Sequence, residues 1–486
     1  TGIAVWSQRY ERGRLEMLEV QQEIAREVVA LVLPDAPGLG VARPATLNAS
    51  ANDLMLLARH KENEVRSRQE VDSEKLLEAI RLYRQAAEVD PDSALIHSRL
   101  AGALLYIGDI EAARASIFQA LGLDPDLSEV QNTLGEYYWA QGDLAEAAAA
   151  FEKAVELNPH SADALHNYAA TTWITWAGWE TGVDPFQLLR RALVNDPVSL
   201  PRYAALGDAL GKSGEWAQIP AVIEDIKARF DDAESYRAIA WLHELRGEID
   251  LAIGWTLKAR DAEPGNPDHP AKLADLFALL GDEATALRLQ PSPSLSVLFH
   301  LRRHEQLIDT AEMLMIDRPE DIEARYLLAF SHVATGAFEA AIHVLSSTGL
   351  PDTVLNDQAR SSEDGEAFVT LVNALAGLGR PDTVELARSL ALWQEEMPWG
   401  GDIGWVALYR SCGLAILGRN DEALNLLPDI KKSPRLRHDA VLRDSWCFQQ
   451  YAEEPVYRDV LEDQASRRET LLERLPGTLA ELGVAL

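Results

Sequence analysis

The sequence predicts an all-α solenoid, a right-handed superhelix of stacked helical hairpins. Three observations predict it. Independent positions repeat every 34 residues, apolar residues between those marks fall at helical spacing, and glycines and prolines stand where helices must turn and stop.

The period is carried by several residue types at once. Pro91, Pro125 and Pro159 are 34 residues apart, as are Ala86, Ala120 and Ala154, and Ala79, Ala113 and Ala147. Tyr83, Ile117 and Phe151 keep the same register, and so do Leu100, Leu134 and Tyr168. Gly108 and Gly142 repeat with it.

Within the unit Ala94–Pro125, Leu100, Leu104 and Leu105 mark the apolar stripe of a first helix. Gly108 ends it, because glycine reaches the left-handed conformation without steric cost. Asp109 then stands ready to accept from the free N–H groups of a second helix. That helix buries Ala112, Ala113, Ile117 and Ala120 and stops at Pro125, since a proline pushes the residue before it out of helical geometry. Ala101, Gly135 and Ala169 are small where paired helices must approach Ala113 and Ala147. One such hairpin cannot cover its own apolar face, so it needs a neighbour.

Further units follow with drift. Gly207 and Gly214 mark one, Ala240, Gly247, Ala259 and Pro264 the next, and Ala274, Gly281 and Ala286 a third that is cut short near Pro291. Ala329, Gly336 and Ala341 mark another, and Gly379 and Gly418 stand at later turns. An insertion is expected over Thr172–Pro185 and a loop from about Leu345 to Glu366. Two array regions result: residues 50–291, a first array, and residues 292–486, a divergent array with capping helices.

Composition narrows the function. Asp and Glu number 77 against 45 Lys and Arg, a net charge of −32 that would repel phosphate backbones, so no nucleic-acid partner is expected. No apolar run is long enough to span a bilayer. Cys412 and Cys447 have no metal-ligand spacing and are expected to be unpaired core thiols. Motifs for a phosphate loop, a nucleophile elbow or a zinc-protease helix are missing, so neither catalysis nor a cofactor is expected. His300 and His304, four apart, share a face if one helix carries both, but packed or exposed histidines are the expected outcome. Acidic pairs such as Asp231-Asp232 are expected to cap helices.

The repeat pattern resembles the tetratricopeptide repeat family over Asn52–Leu427, most closely over Ala79–Pro159. The stretch Thr1-Gly2, Trp6-Ser7, Arg9-Tyr10-Glu11 and then Gln21-Gln22-Glu23-Ile24-Ala25 is similar to a junction in bacterial signalling proteins, with Gln22 where Asp is usual. There a TolB-like domain ends in a strand, followed by a helix, a proline-containing linker and such repeats, and the output domain is commonly a class III adenylate or guanylate cyclase or a winged-helix domain. The resemblance implies a short strand over Thr1–Tyr10 and a linker with Pro34, Pro37 and Pro44, so that residues 1–49 would be the remnant of a preceding domain. Glu454–Leu461 resembles the close of those arrays. The resemblance implies a protein- or peptide-binding regulatory region of a longer chain, and a cytoplasmic placement is expected.

In that family, partner-facing side chains lie at fixed offsets of each first helix. The offsets imply Arg99 and Tyr106 in one unit, Asn132 and Trp139 in the next, His166, Asn167 and Trp173 in a third, and Arg237 and Trp241 farther on. Asparagines can hold a peptide backbone, and aromatic rings with arginine nearby supply anchors. The alternative is that the tryptophans pack between repeats. A small-molecule pocket built on Trp173, Trp176 and Trp179, or self-association of the array, are the other readings.

Overall fold

A side chain near the start of several first helices reaches back six residues to the carbonyl of a loop proline. His97 engages Pro91 O at 2.9 Å, Gln131 donates to Pro125 O at 2.6 Å, and Tyr203 to Pro197 O at 3.2 Å. Arg325 does the same to Pro319. Each hook closes the bend between one hairpin and the next, so the proline that stops a helix also anchors its successor.

The computed structural model describes residues 48–66, 73–175, 182–319, 321–346, 362–392, 402–436 and 438–486. Among them every regular element is helical. The strand expected over Thr1–Tyr10 and the linker prolines lie outside the described residues. The chain divides into two compact units, residues 1–171 and 172–486.

In the first unit, α1 (Ala49–Arg66) pairs with α2 (Ser73–Val89), α3 (Ala94–Tyr106) with α4 (Ile110–Leu123), and α5 (Ser128–Gln141) with α6 (Leu144–Leu157). The helix α7 (Ala162–Thr175) follows. Asp109 caps α4 by accepting from Ala112 N at 3.2 Å. Gly142 takes φ 81° and lets Asp143 N return to Tyr138 O at 3.0 Å, so the chain reverses in one residue. Leu76, Ile80, Tyr83, Ile96, Leu104 and Ala113 form a continuous buried strip from one hairpin to the next. Each large apolar side chain so covered contributes about 1.5–3 kcal/mol.

In the second unit, α8 (Pro185–Asn195) leads to five hairpins. They are α9 (Leu200–Lys212) with α10 (Ile219–Arg229), α11 (Ala233–Leu245) with α12 (Ile249–Ala262), α13 (Asp268–Leu280) with α14 (Glu283–Leu289), α15 (Leu295–His300) with α16 (His304–Asp317), and α17 (Ile322–Ala334) with α18 (Phe338–Ser346). Two less regular pairs follow: α19 (Ser362–Gly377) with α20 (Thr383–Ala391), and α21 (Ile403–Ile416) with α22 (Asn420–Leu426). A short turn helix at Leu427–Lys432, then α23 (His438–Asp444), a second turn helix at Trp446–Tyr451 and the long α24 (Pro455–Leu482) complete it. The third hairpin's second helix is only 7 residues long and ends before Pro291, as expected.

Asp232 caps α11 in a reciprocal box with Ser235, so the acidic pair at 231–232 serves the helix start. Part of the insertion expected over Thr172–Pro185 is helical at both ends: α7 runs to Thr175, and Asp184 caps α8 through Phe186 N at 2.8 Å. The loop expected to Glu366 is helical from Ser362.

One expectation, that of unpaired cysteines, is corrected, and the histidine pair is packed, within what was expected of it. His300 and His304 do not share a helix: α15 ends at one and α16 begins at the other. Arg302 between them holds φ 56°, where the other described hairpin turns carry glycine. His300 approaches Asp275 at 3.6 Å and His304 approaches Asp444 at 3.1 Å, so each packs against its own carboxylate. The cysteines are buried as expected but not unpaired, since Cys412 and Cys447 form a disulfide between α21 and the turn helix at 446–451. A 35-residue separation gave no sequence signal for that pairing.

Candidate interaction surface

In the first unit the first helices α3, α5 and α7 stand side by side, and their side chains are laced together across the gaps. The Ser98 and Thr133 hydroxyls are 2.9 Å apart, and Ser98 also donates to Glu129 O at 3.0 Å. One helix farther, the Asn167 amide donates to Asn132 Oδ1 at 3.1 Å and to Glu136 Oε1 at 3.2 Å. Asn132 Nδ2 reaches the same Glu136 oxygen at 3.0 Å. Both rungs link residues 35 apart, one more than the repeat, because neighbouring helices are staggered by about one residue.

The two asparagines named from the sequence are therefore brought together, and Glu136 joins them. Both amide protons of Asn167 are engaged and one of Asn132's, which leaves an acceptor oxygen on the first and a donor on the second. Those are the complements of one peptide unit. Glu136 occupies the ninth place of its helix, which begins at Ser128. Gly102 is its counterpart one helix earlier: a Cβ there would lie 3.5 Å from Glu136 Oε2, so the carboxylate rests over bare backbone.

Around this ladder Arg99 and Trp139 are half-buried, His166 likewise, and Tyr106 is 42% exposed. The Tyr83 phenol, held at 2.7 Å from Glu62, is pushed above the usual tyrosine range by burial first and by that carboxylate second, against a smaller opposing pull from Arg99. Trp173 lies in α7, while Trp176 and Trp179 fall outside the described residues.

In the second unit Arg237 and Trp241 share α11 but serve different neighbours. Arg237 donates to Glu263 at 2.9 Å and so ties α11 to the end of α12. Trp241 lies beneath the Lys272 ammonium, 5.8 Å from the ring centroid, and Lys272 pairs with Glu244 at 2.5 Å. Trp241, Glu244, Leu245, Ile249 and Leu279 line a cavity of about 30 Å³, closed on the other side by Arg435 and Leu436. That closure comes from a segment almost two hundred residues away, which the spacing rule could not show. Among the described residues no group of three or more His, Cys, Asp or Glu is arranged to hold a metal ion, and no helix is long and apolar enough to cross a membrane.

Two family models described as tetratricopeptide repeat match the chain, over residues 70–137 and 128–161. No curated protein sequence matches it. Among solved structures, PilF of Pseudomonas aeruginosa is 18% identical, with 46% of this chain and 97% of that one covered at a TM-score of 0.33. Yeast Tom70 is 14% identical, covering 85% of this chain and 99% of its own, at a TM-score of 0.34. YrrB, a TPR protein described as having an unusual peptide-binding site, is 20% identical over 38% of this chain and 93% of its own, at 0.27.

Proposed function

Because the chain carries tetratricopeptide repeats, scaffolds typical of protein–protein interaction, we propose that the first unit holds an extended peptide segment of a partner protein across α3, α5 and α7. The observation that carries this reading is the Asn132–Glu136–Asn167 ladder, with one donor and one acceptor left over. A peptide N–H would meet Asn167 Oδ1 and a carbonyl would meet Asn132 Nδ2. The Glu136 carboxylate beside them favours a lysine or arginine in the bound segment, in keeping with a net charge of −32. Arg99, Tyr106 and Trp139 would flank it.

At the level of the whole protein, the reading is a non-catalytic, cytoplasmic regulatory region of a bacterial signalling protein. Its support is the likeness of residues 1–25 and 454–461 to the ends of such arrays. Nucleic acid is not its partner, on the charge argument.

The test is selection of peptides from a random display library on the intact chain. Binders should be enriched in lysine and arginine. The Asn132→Ala/Asn167→Ala variant should bind them at least about tenfold more weakly, a loss of 1.4 kcal/mol, at unchanged helicity. Binders indifferent to those substitutions would overturn the reading.

A further inference from the structure

A cleft of about 310 Å³ in the second unit is lined by Trp216, Arg246, Lys431, Lys432 and Arg467, with Ala217, Ser433 and Pro434 completing it. Four cations and no carboxylate line one recess of a chain that carries 32 more negative than positive charges. We infer that this cleft binds a small phosphomonoester, its phosphate among the four cations and a flat apolar body on the Trp216 ring.

The cleft is assembled from distant parts that hold one another. The segment 433–436 lies directly on the turn between α11 and α12: a Cβ on Gly247 would come 1.9 Å from Pro434 O, so only glycine permits that approach. Arg467 on α24 fixes the segment from the other side, donating to Ser433 O at 2.7 Å and Lys431 O at 2.5 Å. The walls are therefore pre-arranged, which lowers the ordering cost of binding.

Each cation is tethered by one carboxylate: Arg246 by Glu248 at 2.9 Å, Lys431 by Asp459 at 2.9 Å, Lys432 by Asp429 at 2.5 Å and Arg467 by Asp463 at 2.9 Å. A tether positions the group without exhausting it. An ammonium has three donors and a guanidinium five, and half-exposed ion pairs of this kind are weak enough to be shared with a ligand. A phosphomonoester suits the site because it is close to a dianion near neutral pH and offers three acceptor oxygens. The Trp216 indole N–H is already satisfied by Gly211 O at 3.1 Å, which settles the ring in place as a surface for stacking. The volume is at the lower bound for small-ligand sites, so a compact ester fits and a folded macromolecular surface does not.

The experiment is calorimetric titration of the full chain with inorganic phosphate and with phenyl phosphate at fixed ionic strength. Phenyl phosphate is expected to bind saturably near or below about 1 mM, and phosphate about tenfold more weakly. Trp216→Ala should bring phenyl phosphate down to the level of phosphate. Arg246→Gln and Lys432→Glu should weaken both about tenfold. Lys153→Gln, an exposed lysine of the first unit, should change neither. Circular dichroism checks that each variant is folded. Absence of saturable binding to the folded chain, or equal weakening by Lys153→Gln, would overturn the proposal.

Discussion

The ring of Phe151 on α6 lies against Gly135 on α5, so closely that a Cβ on that glycine would come within 2.6 Å of two ring carbons. Small residues recur at this register so that the two helices of a hairpin can meet, and here the closeness is absolute. Gly135→Ala should destabilise the chain by about 1–3 kcal/mol, the cost of forcing extra volume into a filled core. Gly102 on α3 is the internal control. A Cβ there meets only Glu136 Oε2, at 3.5 Å, so Gly102→Ala should be neutral or gain up to about 1 kcal/mol from helix propensity. Urea unfolding of both variants decides it, and a shared loss would sink the packing argument.

The ladder makes a separate prediction about stability. Asn132→Ala and Asn167→Ala each remove two side-chain hydrogen bonds, one of them common to both, and should each cost about 1–3 kcal/mol. Since the two amides share Glu136 Oε1, their effects should not add, and a double-mutant cycle should show coupling of at least about 0.5 kcal/mol. Strict additivity would mean the two asparagines act apart.

What was legible in the sequence followed from periodicity. Ala113, Ile117, Ala120, Ala147 and Phe151 are buried because a 34-residue register returns them to the same face, and the register is visible without a structure. Glu136 was within reach of the same rule but is chemically unremarkable in a chain this acidic. The contacts that periodicity could not show are those that leave the repeat. Pro434 against Gly247, Thr478 on the buried Asp250 and Arg302 on Asp444 join positions far apart in the chain. Arg302 also hides a turn, since it takes a left-handed φ at a place where the eye looks for glycine.

The disulfide should be measurable in its own right. Cys412 and Cys447 are fully buried, and Asn373 braces both ends: its amide donates to Cys412 Sγ at 3.2 Å and its oxygen accepts from Cys447 N at 2.8 Å. Closing a loop with a 35-residue separation removes unfolded-state entropy equivalent to about 4 kcal/mol. Under oxidising conditions no thiol should be alkylated without denaturant and reductant. Adding reductant, or Cys412→Ser/Cys447→Ser, should lower the urea midpoint of the second unit. Equal midpoints with and without reductant would show that the bond contributes nothing.

The pH dependence rests on Asp444. Its carboxylate is buried, which alone would raise its pKa, but hydrogen bonds from His304 at 3.1 Å and Arg302 at 2.9 and 3.0 Å, with the Arg302 charge, outweigh burial and hold it below the usual range. A folded-state pKa below the unfolded value of about 3.9 means stability that is fully present above that value and lost as pH falls through the folded one. Asp444→Asn should therefore cost about 1.5–3 kcal/mol at pH 7, the worth of a charge-assisted hydrogen bond. The gap between variant and wild type should stay level from about pH 8 down to about pH 5 and close only below about pH 4. A gap that instead changed between about pH 7 and 5, well above the range in which Asp444 takes up its proton, would show that this carboxylate does not carry the pH dependence.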